Sequence, residues 1–578
     1  MLRPALLSLA LASVLGCRHG EAPRPTGPLT TVAERSDFVR TGRYAETVTL
    51  CHDFARAYAG VSCDEIGRTL EDRPIVALHV SRGKGHPTIY FQGGIHAGEI
   101  DGKDAGFWFL RDLLDGKVAP GALDAVDLVF VPVINPDGHE RFGRNNRPNQ
   151  RGPEEMGFRT DAVRLNVNRD FAKADTNEIR AVLGVVTKYD PAVFVDLHVT
   201  DGAKFEHDVA ILVSPVIARD DKLDETAHAL SDQIQTRMTA LGHLPLPFYP
   251  SFEKDDEPTS GFAVGEAPPR FSQAYMGVRS RLGILVETHS WRPYKHRVET
   301  TYHFLQTLFE RAVTDARTWR DVEHDADVAD RALRGKELAL VHGNGKHVTQ
   351  IDFRGYAYEQ KTSDISGGTW IAYDETAPQI WKVPLLDEVV PTVTVRVPHT
   401  GYIIDGGWAA VLAPVLAAHG IATKPMPEGL YAKVEVFHAS KVTFDPPFEG
   451  RTRATIEGAW TTETRSLDRG AVLVDLDQKA ARLIVQLLDP AGPDSFAQWG
   501  FMNAVFERKE YMEAYVAEEE ARRMMTIDPT LRRKFEAALA DPEFAKSPQK
   551  RLEWFYKRHP AWDDRLNLVP IYRFDGER

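Results

Sequence analysis

Cysteine is the scarcest informative residue in this 578-residue chain: there are three, Cys17, Cys51 and Cys63. None sits in a motif with a neighbouring base, so a cysteine-based catalyst is excluded as the leading reading. Positive charge is also short. Seventy Lys and Arg face 83 Asp and Glu, a net charge of -13, which speaks against a nucleic-acid surface and for simple solubility. Beyond the first residues no apolar run reaches the ~18 residues of a membrane span. Repeats and low-complexity tracts are missing too. What remains is ordinary globular composition, 43% hydrophobic and 26% charged, enough for a large core and two or three domains.

The N-terminus stands apart. "MLRPALLSLALASVLGC" has one early Arg3, then an apolar stretch from Pro4 to Leu15, too short to span a membrane and typical of a secretory signal. Its end, "VLGC", resembles a lipoprotein cleavage box, which implies lipidation of Cys17; ordinary signal cleavage is the alternative. Residues 1–17 are thus expected to be a signal, and 18–36 a Pro/Gly/Arg-rich tether. The expected location is exported, in the periplasm or cell envelope, with membrane contact only through lipid on Cys17. Cys51 and Cys63 are then an even pair, and export makes a disulfide between them the expectation.

From residue 37 to 316 apolar strand patterns alternate with helical ones. "TIYFQGG", "VDLVFVPVI", "AVFVDLH", "VAILVS" and "LGILVE" read as buried strands. "KDAGFWFLRDLLDG", "TNEIRAVLGVVTKYD", "DKLDETAHALSDQIQTRMTALG" and "YKHRVETTYHFLQTLFERAV" read as helices. Such alternation predicts an α/β domain with a mixed, largely parallel sheet and flanking helices. Residues 335–495, with "TVTVRVPHTGYII", "YAKVEVF" and "ARLIVQLL", are expected to form a β-rich accessory region. Residues 496–578, with "EYMEAYVAEEEARRMM" and "LRRKFEAALADPEFA", are expected to be helical.

Open α/β sheets bind ligands beyond the carboxyl ends of their strands, and chemistry-bearing residues collect there. His96 and Glu99 follow "TIYFQGG" directly, among Gly93, Gly94 and Gly98, which permit a tight turn and a close approach. Two ligands do not make a catalytic zinc site; three protein ligands with a fourth position left open do. His198 closes another apolar strand at the same level. Glu287 closes a third, where an acid after an apolar run is costly unless paired or functional. Between them lie Arg159, for a developing oxyanion, and Asn168 with Arg169, for an anion. A second His-x-x-Glu pair, His296 and Glu299 with His303 one turn on, lies inside a helical pattern and reads as polar helix surface.

The motifs "HAGE", "NPDG", "RTDAVRLNVNRDF", "DLH" and "VETHS", in that order, resemble the zinc carboxypeptidases of the carboxypeptidase A type, the M14 metallopeptidases. The resemblance covers roughly Arg43 to Ala312. It implies a zinc carboxypeptidase-like fold for residues 37–316 and one Zn2+ per chain held by His96, Glu99 and His198. It also implies Glu287 as the base that activates the attacking water and returns the proton to the leaving amine. Asn168 and Arg169 would grip a substrate's terminal carboxylate, and Arg159 would polarise the scissile carbonyl, with Arg147 and Arg151 as rivals for that role. The family's loop tyrosine has Tyr275 as its nearest match, and Asp170 replaces a residue that is often Asn. The implied activity is removal of C-terminal residues from peptides with a free carboxylate. The alternatives are a zinc amidase or endopeptidase acting on cell-wall peptides or N-acyl amino acids, and a non-catalytic peptide-binding protein on a peptidase scaffold. No nucleic-acid partner is implied.

Overall fold

The computed structural model of the protein describes residues 29–216 and 221–576; the signal, Cys17 and most of the tether lie outside them. The end of the tether is folded. Val32–Arg35 form a helical turn with a capping box between Thr31 and Glu34, and both Thr31 and Ala33 are fully buried. Residues before 37 are thus packed against the core of the α/β sheet.

Nine strands frame the site: β1 Val61–Arg68, β2 Pro74–Val80, β3 Thr88–Gly93, β4 Asp127–Val131, β5 Val193–Thr200, β6 Val209–Ser214, β7 Pro245–Leu246, β8 Phe262–Ala263 and β9 Leu282–His289. All but β8 join one sheet in the order β1-β2-β4-β3-β5-β9-β6-β7. Its centre, β4-β3-β5-β9, is parallel; β1 with β2, β2 with β4 and β6 with β9 pair antiparallel, and β7 adds to β6 in parallel. The central strands are buried on both faces, which is why they read as continuous apolar runs rather than alternating ones. Helices Tyr44–Ala57, Asp101–Leu114, Asp221–Ala240 and Tyr294–Arg331 cover one face around Phe54, Phe91, Phe130 and Phe309. A disulfide joins Cys51 on the first of these helices to Cys63 on β1, as the count of three predicts.

The other face is covered partly by helices Asn177–Tyr189 and Ser272–Val278 and partly by the chain beyond residue 335. One hydrophobic core runs from Tyr90, Val182 and Phe194 into Leu412, Ile484 and Ile571, so the accessory region shares the interior of the α/β domain. Its main sheet has six strands, among them Gly401–Ile404, Tyr431–Phe444 and Ala454–Ser466. Two expectations fail here. "ARLIVQLL" is the helix Ala481–Leu488, buried on all sides; its polar residues, Arg482 and Gln486, are four apart, a spacing that shares one face in either a helix or a strand, so a run this short does not separate the two. The C-terminal segment is also not purely helical. Leu568–Phe574 is a strand inserted between Gly401–Ile404 and Tyr431–Phe444, which binds residues 496–578 into the β-rich region.

Candidate metal centre and cleft

The turn between β3 and the helix Asp101–Leu114 carries His96 and Glu99, closed by the Glu99 N–H donating to the His96 carbonyl at 2.8 Å. Gly94 sits at φ 63°, where a side chain is strained. A Cβ on Gly98 would meet the Gly157 carbonyl at 2.5 Å and the Arg147 side chain at 2.6 Å. The glycines therefore let the turn fold under Arg147.

His96, Glu99 and His198 converge. Their ligand atoms lie within 4.8 Å of one another and all three are buried. His96 Nδ1 is 3.0 Å from Glu99 Oε1, and His198 Nδ1 is 2.9 Å from Glu99 Oε2. Each outward nitrogen also has an acceptor close by. His96 Nε2 lies 3.1 Å from Asn166 Oδ1 and His198 Nε2 2.9 Å from Asp196 Oδ2. An acceptor beside each Nε2 favours the proton there and turns both Nδ1 lone pairs inward. Two imidazoles and a carboxylate with oriented outer partners are a donor set that fits Zn2+.

Glu287 is the register partner of His198 on the adjacent parallel strand, which brings its carboxylate beside the trio. Burial pushes its pKa up to about 8; His198 opposes this, and the Glu99 and Asp196 carboxylates reinforce it. A divalent cation in the trio would pull it back down.

Two arginines meet the trio. Arg147, buried, places Nη2 2.7 Å from Glu99 Oε1, whereas Arg159 Nη1 lies 3.7 Å from the same oxygen with its side chain 35% exposed. Arg147 is the nearer ion-pair partner of the carboxylate, and Arg159 the more distant and more exposed one. Arg151 points elsewhere, to Glu375 at 2.6 Å, on the accessory hairpin formed by strands Thr349–Thr362 and Thr369–Leu386. The "NPDG" motif supports this arrangement. Asn135 caps its own turn by accepting from the Gly138 N–H at 2.8 Å, and the Gly138 carbonyl accepts from the Phe158 N–H at 2.7 Å, next to Arg159.

Arg169 stacks over Phe271, with Cζ 4.3 Å from the ring centre. Its pKa is lowered by burial and then by the nearby Arg159 and Arg270 guanidiniums, while Glu449 opposes them. Of these guanidiniums, Arg270 is paired with buried Asp494 at 2.7 Å. Asn168 beside it is buried, and its Oδ1 has no partner. The departure at Asp170 has a structural explanation. Fully buried, it accepts from the backbone N–H of Asp175 and Thr176 and from the Thr176 hydroxyl, and pairs with Lys173. It pins the loop that presents Arg169.

Tyr275 is a correction. Its hydroxyl lies 2.8 Å from His419 Nδ1 inside the rear core, with no exposed surface, so it cannot meet a substrate. Tyr249 instead lines the cleft; its hydroxyl is 3.0 Å from Thr200 Oγ1, and its pKa is raised by burial and then by Glu287. "LPLPFYPS", a Pro-rich loop after a long helix, was its only signal in the sequence. Asp201, Asp255 and Asp256 share its cleft with Tyr373 of the accessory hairpin. The second His-x-x-Glu pair is also not plain helix surface. His296 Nε2 is 2.9 Å from buried Asp208, and Glu299 is not part of that cluster.

Comparisons with known proteins agree with the motifs. Residues 47–261 match the zinc carboxypeptidase family, Peptidase_M14; Glu287 lies past that stretch and rests on geometry. Carboxypeptidase 2 of Trichophyton rubrum is 22% identical over 525 residues, covering 86% of this chain and 91% of its own. An inactive metallocarboxypeptidase of Saccharomyces cerevisiae is 36% identical over 116 residues, 18% of this chain and 27% of its own. The crystal structure of carboxypeptidase A from Helicoverpa armigera superposes with a TM-score of 0.36 at 14% identity, over 50% of this chain and 75% of that one. The resemblance to the M14 metallocarboxypeptidases stands, and with it a zinc carboxypeptidase-like fold carrying an added β-rich region.

Proposed function

We propose that this M14-type protein is a zinc-dependent carboxypeptidase that trims C-terminal residues from peptides. The observation that carries the reading is the convergence of His96, Glu99 and His198 beside Glu287, with Arg159 and Arg169 nearby. Zinc held by the trio would supply Lewis-acid polarisation of the reacting carbonyl and water. The rest falls to the chain. Arg169, with Asn168, binds the terminal carboxylate and sets the last peptide bond over the centre. Arg159 meets the carbonyl oxygen as negative charge develops on it. Glu287 takes a proton from the attacking water and hands it to the leaving amine, a shuttle suited to a carboxylate whose pKa lies near working pH. Tyr249 closes the cleft side. The acidic lining of that side favours a cationic group near the cleaved bond.

Glu449 supports a second reading. A resident carboxylate near Arg169 competes with a substrate's own, which suits an amidase or endopeptidase whose substrate lacks a free C-terminus. We further propose export with a lipid on Cys17. The Cys51–Cys63 bond suits an oxidising compartment, and among the described residues no helix is long and apolar enough to cross a membrane.

The deciding measurement is kcat/KM for matched free-acid and amidated peptides, with and without chelator, in the unmodified protein and in R169A. The carboxypeptidase reading expects a preference for the acid of roughly thirty-fold to several thousand-fold, matching about 2–5 kcal/mol for one truncated partner of a buried ion pair. R169A should collapse that preference. Equal cleavage of acid and amide, or internal cuts, leaves the second reading.

A further inference from the structure

Away from the trio, Asp208 Oδ2 receives two imidazole nitrogens, His243 Nδ1 at 2.8 Å and His296 Nε2 at 2.9 Å. The three residues come from separate elements. Asp208 immediately precedes β6, His243 lies in the turn between the helix Asp221–Ala240 and β7, and His296 is in the first turn of the helix Tyr294–Arg331. Nothing in chain connectivity brings them together; 35 and 88 residues separate His243 and His296 from Asp208.

We propose that Asp208, His243 and His296 form a second zinc site that braces the edge of the catalytic sheet. Three features carry this. Their ligand atoms lie within 4.8 Å of one another, as in the first trio, and the contact distances of 2.8 and 2.9 Å match the 3.0 and 2.9 Å found there. The donor set is again two imidazoles and one carboxylate, a class suited to zinc. The outer partners have the form that metal ligands use: His243 Nε2 lies 2.8 Å from His303 Nδ1, which turns Nδ1 toward Asp208, and Asp208 Oδ1 accepts from the Leu244 N–H at 2.8 Å. Asp208 and His243 are buried, while the His296 side chain is 38% exposed, which provides an entry path and room for a water ligand.

An ion here would act on the reaction centre through the backbone. The Asp208 carbonyl accepts from the His289 N–H at 2.8 Å, two residues beyond Glu287, and β6 pairs with the strand that carries Glu287. His243 and Leu244 lead into the loop bearing Tyr249. The site is thus placed to hold the base-bearing strand and the cleft loop in register, without touching substrate.

The competing account is a hydrogen-bonded cluster in which both imidazoles donate to Asp208 and His303 donates to His243. Metal stoichiometry separates the two. Full-length protein loaded with zinc, desalted and measured by elemental mass spectrometry should hold two ions per chain. The double variant H96A/H198A should retain one, and its melting temperature should still rise on zinc addition. H296A, chosen because His296 is the half-exposed ligand, should hold one fewer ion than the unmodified protein, and H296A/H96A/H198A none. H296Q, which keeps polarity and bulk, should behave as H296A does, so a deficit in both with a cooperative melt is loss of a ligand and not of the fold. Zinc absent from H96A/H198A, or an undiminished count in H296A, overturns the proposal in favour of the hydrogen-bonded cluster.

Discussion

The Glu449 carboxylate accepts a hydrogen bond from the Asn166 backbone N–H at 2.7 Å, across 283 residues of sequence. Asn166 in turn turns its Oδ1 toward His96 Nε2. A three-residue relay therefore links the tip of a second hairpin, strands Tyr431–Phe444 and Ala454–Ser466, to a proposed zinc ligand. The hairpin is anchored beside it, where Arg451 makes two contacts of 2.7 Å with Asp175. Two substitutions separate charge from hydrogen bonding. E449Q keeps an acceptor for Asn166 but removes the charge near Arg169; it should lower KM for free-acid peptides several-fold, as expected for about 1 kcal/mol from one partly exposed charge. E449A should also loosen Asn166 and weaken zinc binding, by less than the roughly tenfold to hundredfold cost of deleting an outer partner outright. KM on a free-acid peptide and zinc competition against a chelator read the two effects. No change in either would make the hairpin a spectator.

Glu287→Gln should separate chemistry from metal binding. Gln preserves shape and polarity but cannot accept the proton, so turnover should fall by at least about a hundredfold while zinc content stays unchanged. H198A should lose the ion at the His96, Glu99 and His198 trio instead. An E287Q protein that keeps most of its rate, or that sheds its zinc, would contradict the assigned role.

Much of this site was legible because strand ends display it. His198 and Glu287 each terminate an apolar run, and the register of two parallel strands makes them neighbours. The pair His96 and Glu99 was legible for the same reason. Tyr249 was not, because loops carry no period and its partner Thr200 is 49 residues away. Tyr275 misled because proximity in sequence to Glu287 says nothing of side-chain direction; its helix turns it toward His419, which comes from the accessory region. The role of Asp170 and the reach of Glu449 both depend on contacts that only the folded loop creates. His296 misled in the opposite sense: its helix face is half-exposed, yet it meets a buried acid supplied from 88 residues away.

The Cys51–Cys63 bond closes a loop of 12 residues, which by chain entropy should stabilise the fold by about 3 kcal/mol. C51S/C63S should therefore unfold at a lower urea concentration, and the unmodified protein should shift to the same midpoint under reductant. Coincident midpoints for reduced and oxidised protein would remove the bond from the stability account.

His419 should make stability depend on pH. Its Nε2 lies 3.0 Å from the Ala172 carbonyl and its Nδ1 2.8 Å from the Tyr275 hydroxyl. One neutral tautomer satisfies both, with Nε2–H donating to Ala172 and the tyrosine donating to Nδ1. Protonation would set a second donor against the hydroxyl in a fully buried site. Burial is the main cause that lowers its pKa to about 3; Arg279 adds to it and the Ala172 carbonyl opposes it. The folded value is depressed relative to about 6.5 in the unfolded chain, so the unfolded state takes up the proton first as pH falls. The contribution is fully present above about pH 6.5 and is lost on acidification toward pH 3, by about 1.4 kcal/mol per pH unit in the middle of that window. Because His419 joins the accessory region to the loop presenting Arg169, the same acidification should loosen that loop. H419Q should be less stable at neutral pH but show a shallower fall in unfolding free energy between pH 6 and 4, by close to one proton. Comparing the two slopes by urea titration cancels the carboxylates that titrate in the same range. Parallel slopes for both proteins would mean that His419 is already charged in the folded state, and that the tautomer argued here is wrong.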